Sequence, residues 1–429
     1  MLGYKTKRDR DLFLLCWLAY SATYICRYNF SSVIPQLTKD GVFTASQIAS
    51  VSSAFFVCYG LGQIVSGIIG DKIDTGYMIF VGVLFSALSN VAVFFFHSYK
   101  LFVTFWAING MLQSLVWSPI LKLASVEYDE PTKDRFGMQM STTVPIGTLL
   151  SYGVSLLTML FLPWKFVFLV SGIILAAVSF LWLIGTGRLK LKHISSGAEK
   201  APFSLGKALK IMLSGGVLIL IVPIIVQGTL KDSVTQWVPE YFSSRFSSDL
   251  SVSLLLTMVL PFINVTGAYF AKLLNDKIRS ETKTSSVFFA VSLLFLIVLR
   301  FFGDKSIILS LVSIVMITNC MFAVNVMLIT MVPLKFAKDG IVSTVAGILN
   351  SVAYIGCAAM NCVAGGILQS GSWNTVILFW MILAVVAVAF CLVPQKNKTA
   401  NNKKDYSQAK VNNLFLLFVF RQPSLVCVY

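Results

Sequence analysis

Charge is what this sequence has least of. Only 12% of its 429 residues are Asp, Glu, Lys or Arg, while 57% are hydrophobic; soluble globular proteins carry about a quarter charged residues. That balance excludes a water-soluble fold and leaves an integral membrane protein. Histidine is nearly missing: His97 and His193 are the two present, and neither stands with a nucleophile or a metal-ligand partner. No GxxxxGK[ST] phosphate loop occurs, which argues against transport driven directly by ATP. Cysteine is available but unorganised: Cys16, Cys26, Cys58, Cys320, Cys357, Cys362 and Cys391 lie inside apolar runs without CxxC or Cys/His spacing, so neither a disulfide framework nor a zinc site is expected. Acidic residues number 18 against 34 basic ones, a net charge of +16. The basic residues sit in short segments between apolar runs, the pattern of cytoplasmic loops and not of a nucleic-acid-binding face. An enzyme, a cofactor and a nucleic-acid partner are therefore not expected.

What is present is a series of about twelve apolar segments long enough to cross a bilayer, near 11–36, 45–70, 75–97, 100–126, 135–161, 164–186, 212–242, 249–275, 284–303, 306–332, 339–367 and 372–394. Basic residues fall on alternate sides. The N-terminus, Lys72, Lys133, Arg135, the cluster from Arg188 to Lys210, Lys272, Lys277, Arg279, Lys283, Lys335 and Lys338 share one side; Lys39, Lys100, Lys165, Arg245, Arg300 and Lys305 lie on the other. The positive-inside rule makes the first side cytoplasmic, with both termini inside and the chain in the cell membrane. The first run is too long and lacks a small-residue cleavage site for a signal peptide, so it reads as a retained helix. The longest internal polar stretch follows the sixth segment. It divides the chain into an N-terminal six-helix half (1–187), a cytoplasmic loop (188–210) and a C-terminal half (211–394). The remainder (395–429) reads as a disordered cytoplasmic tail able to lean on anionic lipid, closed by an apolar stretch too short to span.

Six helices, a basic connection and six helices is the arrangement of the major facilitator superfamily, an all-α membrane fold of two pseudo-symmetric halves that binds substrate between them. A weak internal echo agrees with it: Gly67 to Asp71 and Lys72 close the second segment, and Gly267 with Asn275, Asp276 and Lys277 close the eighth. This resembles the superfamily's loop motif and makes Asp71 and Asp276 candidate gate residues.

Charge inside the spans marks the candidate site. Arg27 is the only charge between about Leu12 and Leu37; at the centre of a membrane helix it costs about 3 kcal/mol on insertion scales, so such a residue usually faces a bundle interior or a wet cavity. The alternative is an arginine that snorkels to the interface. Lys231 and Asp232 stand in the seventh segment, which is symmetry-equivalent to the first, and two cations converging from opposite halves suit a phosphoryl group. The competing reading neutralises Lys231 with Asp232; adjacent helical residues point in different directions, so a direct pair needs distortion. Tyr20 and Tyr24 share a helix face with Arg27, as Tyr59 does with Gln63. Trp117, Asn350 and Tyr354 complete the candidate lining, each with a packing role as the alternative.

The residues Tyr24 to Phe30 (YICRYNF) with Val33, Ile34 and Pro35 resemble the first-helix signature of the organophosphate:inorganic phosphate antiporters, which include glycerol-3-phosphate and hexose-phosphate transporters. YGLGQIVSG from Tyr59, WSPILK from Trp117, and Lys231 six residues before WVPEY are similar to further motifs of that family. The resemblance implies that Arg27 and Lys231 grip a phosphoryl group, that inorganic phosphate is the counter-substrate, and that the halves rock about the site; a monomer is expected. Three positions depart from the family: Tyr28 stands where a second cation often follows the arginine, Gln63 stands where a lysine does, and Ser141 to Gly147 holds no histidine. Fewer cations point toward a less charged anion. Two other functions stay open: a proton-coupled carboxylate or sugar carrier with Asp232 as its proton site, and a non-transporting membrane sensor on the same scaffold.

Overall fold

A computed structural model describes residues 4, 6–69, 73–96, 98–140, 142–189, 217–334, 342–369 and 371–393. The expected gate residue Asp71, all but the first two residues of the expected central loop and the whole of the expected tail lie outside the described residues.

Among the described residues the chain is helical throughout, without strands. Twelve spans follow one another: Lys7–Lys39, Ala45–Ile69, Thr75–Phe95, Tyr99–Glu127, a fifth made of the short helix Glu130–Met140 and Thr143–Phe161, Phe166–Leu189, a seventh described below, Leu250–Ile278, Glu281–Phe302, a tenth that runs from Ile307–Asn325 through a π-helical turn to Val332–Leu334, Val342–Gln369 and Trp373–Leu392. Several begin where a side chain can cap the first turn. Thr6, Asp74, Ser306 and Ser372 each accept from a backbone N–H three residues on, which satisfies a donor that has no partner within the helix.

Ten of these helices are long and apolar enough to cross a membrane on those criteria alone. The two outside that set are the first and the seventh. The first buries Ser21, Thr23, Arg27, Asn29, Ser31 and Ser32. The seventh is divided into Val217–Leu220, Ile221–Gly228, a π-helical turn Thr229–Ser233 and Val234–Phe246. These two spans carry the buried Arg27 and Asp232, and burial among neighbouring helices is what makes such charges tolerable.

The halves repeat one packing scheme. In the first, spans 1 and 5, 1 and 6, 2 and 4, 3 and 4, and 3 and 6 pack together; in the second the pairs are 7 and 11, 7 and 12, 8 and 10, 9 and 10, and 9 and 12. Adding six to each number of the first list gives the second, which is the pseudo-symmetry of the fold. Between halves, span 2 meets 11, span 5 meets 8, and span 1 meets the last segment of span 7.

These inter-half contacts are closest toward the end where the first span finishes. Ser31 Oγ donates to the Gln236 carbonyl at 2.7 Å, Ser53 Oγ to the Ala358 carbonyl at 2.7 Å, and Asn361 Nδ2 to the Ala49 carbonyl at 3.3 Å. Nearer the middle, Ser351 Oγ donates to the Gly60 carbonyl at 2.9 Å. One turn further along span 11 toward the opposite end, Gly347 has open space where a side chain would stand.

Candidate functional site

Arg27 is 7% exposed, deep in the first span. Its guanidinium lies over two phenol rings, 4.6 Å from the Tyr24 centroid and 4.3 Å from that of Tyr59, with Phe55 at 5.4 Å. Tyr24 comes from the same helix by its three-residue spacing, and Tyr59 and Phe55 from the second span. With the guanidinium carbon over both rings, hydrogen bonding is left to its N–H groups. Of these, Nε donates to Gln113 Oε1 at 3.1 Å, whereas Nη2 is buried and has no hydrogen-bond partner.

Behind the arginine is a polar network that holds it. Gln113 Nε2 donates to the backbone carbonyls of Thr23 and Cys26 at 3.1 and 3.2 Å and to Asn109 Oδ1 at 3.2 Å. Asn109 Nδ2 donates to the Cys26 carbonyl at 2.8 Å, and Asn29 Nδ2 to Asn90 Oδ1 at 2.8 Å. With its amide committed to the first span's backbone, Gln113 has only its carbonyl oxygen to present to Arg27, and that fixes which edge of the guanidinium remains open. Gln113, Asn109, Asn90, Ser86 and Phe55 were not among the residues singled out from the sequence. Their signal was available: Asn109 with Gln113, and Ser86 with Asn90, are pairs spaced by four residues in otherwise apolar spans, each pair on one helix face.

Aromatic side chains line the remainder. The Tyr20 and Tyr24 hydroxyls are 3.4 Å apart, and Tyr20 packs on Trp117 with ring centroids 4.6 Å apart. Tyr28 lies 6.1 Å from both Tyr24 and Tyr152. From the other half, Tyr354 packs edge-on against Tyr59 at 4.8 Å and beside Phe56 at 6.2 Å. Five of the tyrosines and tryptophans named from the sequence are therefore one cluster: Tyr20, Tyr24, Tyr59, Trp117 and Tyr354. Gln63 is buried one turn beyond Tyr59, and Asn350 is half-buried one turn before Tyr354.

The seventh span carries the opposing charges. Lys231 Nζ and Asp232 Oδ2 are 3.3 Å apart, with both side chains nearly buried. The distortion that such a neighbouring pair needs is present, because both residues lie in the π-helical turn Thr229–Ser233. Hydroxyls flank that turn: Thr229 Oγ1 donates to the Ile225 carbonyl at 2.8 Å, Thr235 Oγ1 to the Lys231 carbonyl at 2.6 Å, and Ser233 Oγ to Asn361 Oδ1 at 2.9 Å. Side-chain donors of this kind take up carbonyls that an irregular turn leaves under-used, and single π turns recur at functional sites. This turn adjoins the aromatic cluster through span 11: Gly228, just before it, packs against the Ala353 carbonyl, next in sequence to Tyr354. Asp276, by contrast, is exposed near the far end of the eighth span, away from this cluster.

This geometry can hold an anion. A buried guanidinium N–H without an acceptor is costly, and a ligand oxygen relieves that cost with a charge-assisted hydrogen bond.

The sequence profile of the Major Facilitator Superfamily matches residues 16–361. The membrane sensor protein UhpC of Salmonella typhimurium is 21% identical over 91% of this chain and 92% of its own length. The glycerol-3-phosphate transporter of Bacillus subtilis is 22% identical over 90% of this chain and 92% of its own. A "Probable hexose phosphate transport protein" of Chlamydia trachomatis is 28% identical, but that match spans 42% of this chain and only 39% of the relative. Among solved structures, the nucleoside transporter NupG (D323A mutant) superposes with a TM-score of 0.71 at 16% identity, covering 90% of this chain and 99% of that one.

Proposed function

The chain belongs to the Major Facilitator Superfamily, and from that premise we propose that it is a secondary carrier of a small organic phosphate or related organic anion, working by alternating access in exchange for phosphate. The observation that carries this reading is the buried, unpartnered Nη2 of Arg27, whose guanidinium lies over the Tyr24 and Tyr59 rings with Nε held by Gln113. A membrane protein keeps such a charge at the contact of two moving halves where a substrate supplies the missing acceptor. The phosphate esters for which these relatives are named support the choice of anion.

In this reading the basic side of the chain is cytoplasmic. The inter-half hydrogen bonds around Ser31, Ser53 and Asn361 then close the external end, and binding of the anion lowers the barrier for the halves to rock about Arg27. The test is counterflow in proteoliposomes loaded with phosphate, with labelled glycerol 3-phosphate and hexose 6-phosphate outside. Wild type takes up label, and Arg27→Ala, matched to it in melting temperature and elution volume, does not. Undiminished uptake by Arg27→Ala sinks the site.

A second reading rests on the full-length similarity to a membrane sensor protein. It predicts Arg27-dependent ligand binding in the absence of any counterflow, so the same preparation separates the two.

A further inference from the structure

Among the described residues of the candidate site, the charges of Arg27, Lys231 and Asp232 sum to one. Arg27 contributes a single positive charge, and Lys231 is answered by Asp232 at 3.3 Å. The residues that stand where the resemblance expects further cations, Tyr28 and Gln63, add hydrogen-bonding groups and no charge. Moreover, the turn that carries Asp232 adjoins the same aromatic cluster: Gly228, just before it, packs against the Ala353 carbonyl, and the next residue, Tyr354, packs at 4.8 Å on Tyr59, the ring that Arg27 lies over. Any ligand held there sits beside a fixed negative charge from the opposite half.

From this we propose that the site selects singly charged phosphoryl groups, as in phosphodiesters, over the dianions of phosphomonoesters, and that Asp232 is the residue that sets the selection. The inference rests on the anion-binding reading above. Near neutral pH a phosphomonoester carries about −1.5 to −2 charges, whereas a diester carries one. In a site with little water, a net charge left without a counter-charge is expensive, so a dianion beside Arg27 either leaves one charge unanswered or pulls Lys231 away and strands Asp232. A monoanion needs neither. The π-helical turn matters because it lets Asp232 pair with its own neighbour; in a regular helix the two side chains diverge.

Titration calorimetry on the full-length protein in nanodiscs at pH 8, with glycerol 3-phosphate and its methyl diester, tests the proposal. The expected result is a Kd at least tenfold lower for the diester in wild type. Asp232→Asn, nearly isosteric, moves the preference toward the monoester by at least tenfold. The double variant Lys231→Met with Asp232→Asn returns the sum to one and restores the diester preference. Tyr28→Lys leaves the seventh span untouched and raises the sum to two, so it shifts the preference in the same direction as Asp232→Asn and serves if that variant does not fold. A wild type that binds the monoester as tightly as the diester, a ratio unmoved by both Asp232→Asn and Tyr28→Lys, or no binding of either compound overturns the proposal. Arg27→Ala distinguishes the two levels. If it abolishes binding while wild type prefers the monoester, only the charge selection fails; if it leaves binding intact, the site itself fails.

Discussion

A guanidinium held over two phenol rings hydrogen-bonds through its N–H edges, so what it can bind depends on which N–H the surroundings leave open. Gln113 decides that for Arg27, and its effect is separable from that of charge. Gln113→Ala removes a hydrogen bond to a charged group, which is worth about 1.5–3 kcal/mol. The expected outcome is about a tenfold weaker Kd for the anion together with a lower melting temperature. Gln113→Glu keeps the size and the acceptor but brings a carboxylate to the arginine, so it loses anion binding more completely than the alanine variant. Calorimetry on the pair checks the order, and the reverse order contradicts a positioning role. Arg27→Lys keeps the charge but loses the planar fork and the stacking; at least a tenfold loss of affinity is expected.

At the scale of the helix, close approach is what brings the tyrosines to the arginine. Gly147 in the fifth span lies against the Ser21 carbonyl of the first, and a Cβ there would stand 2.8 Å from that of Tyr24. Gly147→Ala therefore pushes the first span away and displaces Tyr24 from the guanidinium, an overpacking change that costs about 1–3 kcal/mol. Gly366, with nothing within 4 Å of an added Cβ, is the matched control. We expect Gly147→Ala to lower the melting temperature and weaken ligand binding together, with Gly366→Ala changing neither. Equal behaviour of the two would show that the spacing of spans 1 and 5 does not matter to the site. The seventh span uses the same device: Gly228 rests against the Ala353 carbonyl of the eleventh, 2.6 Å from an added Cβ, just before the π-helical turn.

For the molecule as a whole, alternating access requires the contacts between spans 2 and 11 to open. Ser53 donates to the Ala358 carbonyl and lies 3.2 Å from the thiol of Cys362. Ser53→Cys puts a second sulfur beside a native one. Oxidation is expected to lock this end shut and abolish counterflow, and a reductant to restore it; wild type treated in the same way is unaffected. Full activity of the oxidised, cross-linked variant would mean that the halves do not part here.

Much of this was legible in order along the chain. The scarcity of charge, the segments of spanning length and the polar break after the sixth established the membrane class and a twelve-span architecture, because bilayer thickness and backbone hydrogen bonding leave few alternatives. The three-residue step from Tyr24 to Arg27 put both on one face, since helical periodicity is local. Two matters belonged to the tertiary structure. One is the anchoring of Arg27 by Gln113, Asn109 and Phe55, which come from other spans and meet it only through helix packing. The other is the charge of the site: helical geometry sends adjacent side chains apart, yet the π-helical turn Thr229–Ser233 pairs Lys231 with Asp232. One extra residue in a single turn thereby changes the centre from two free cations to a net charge of one.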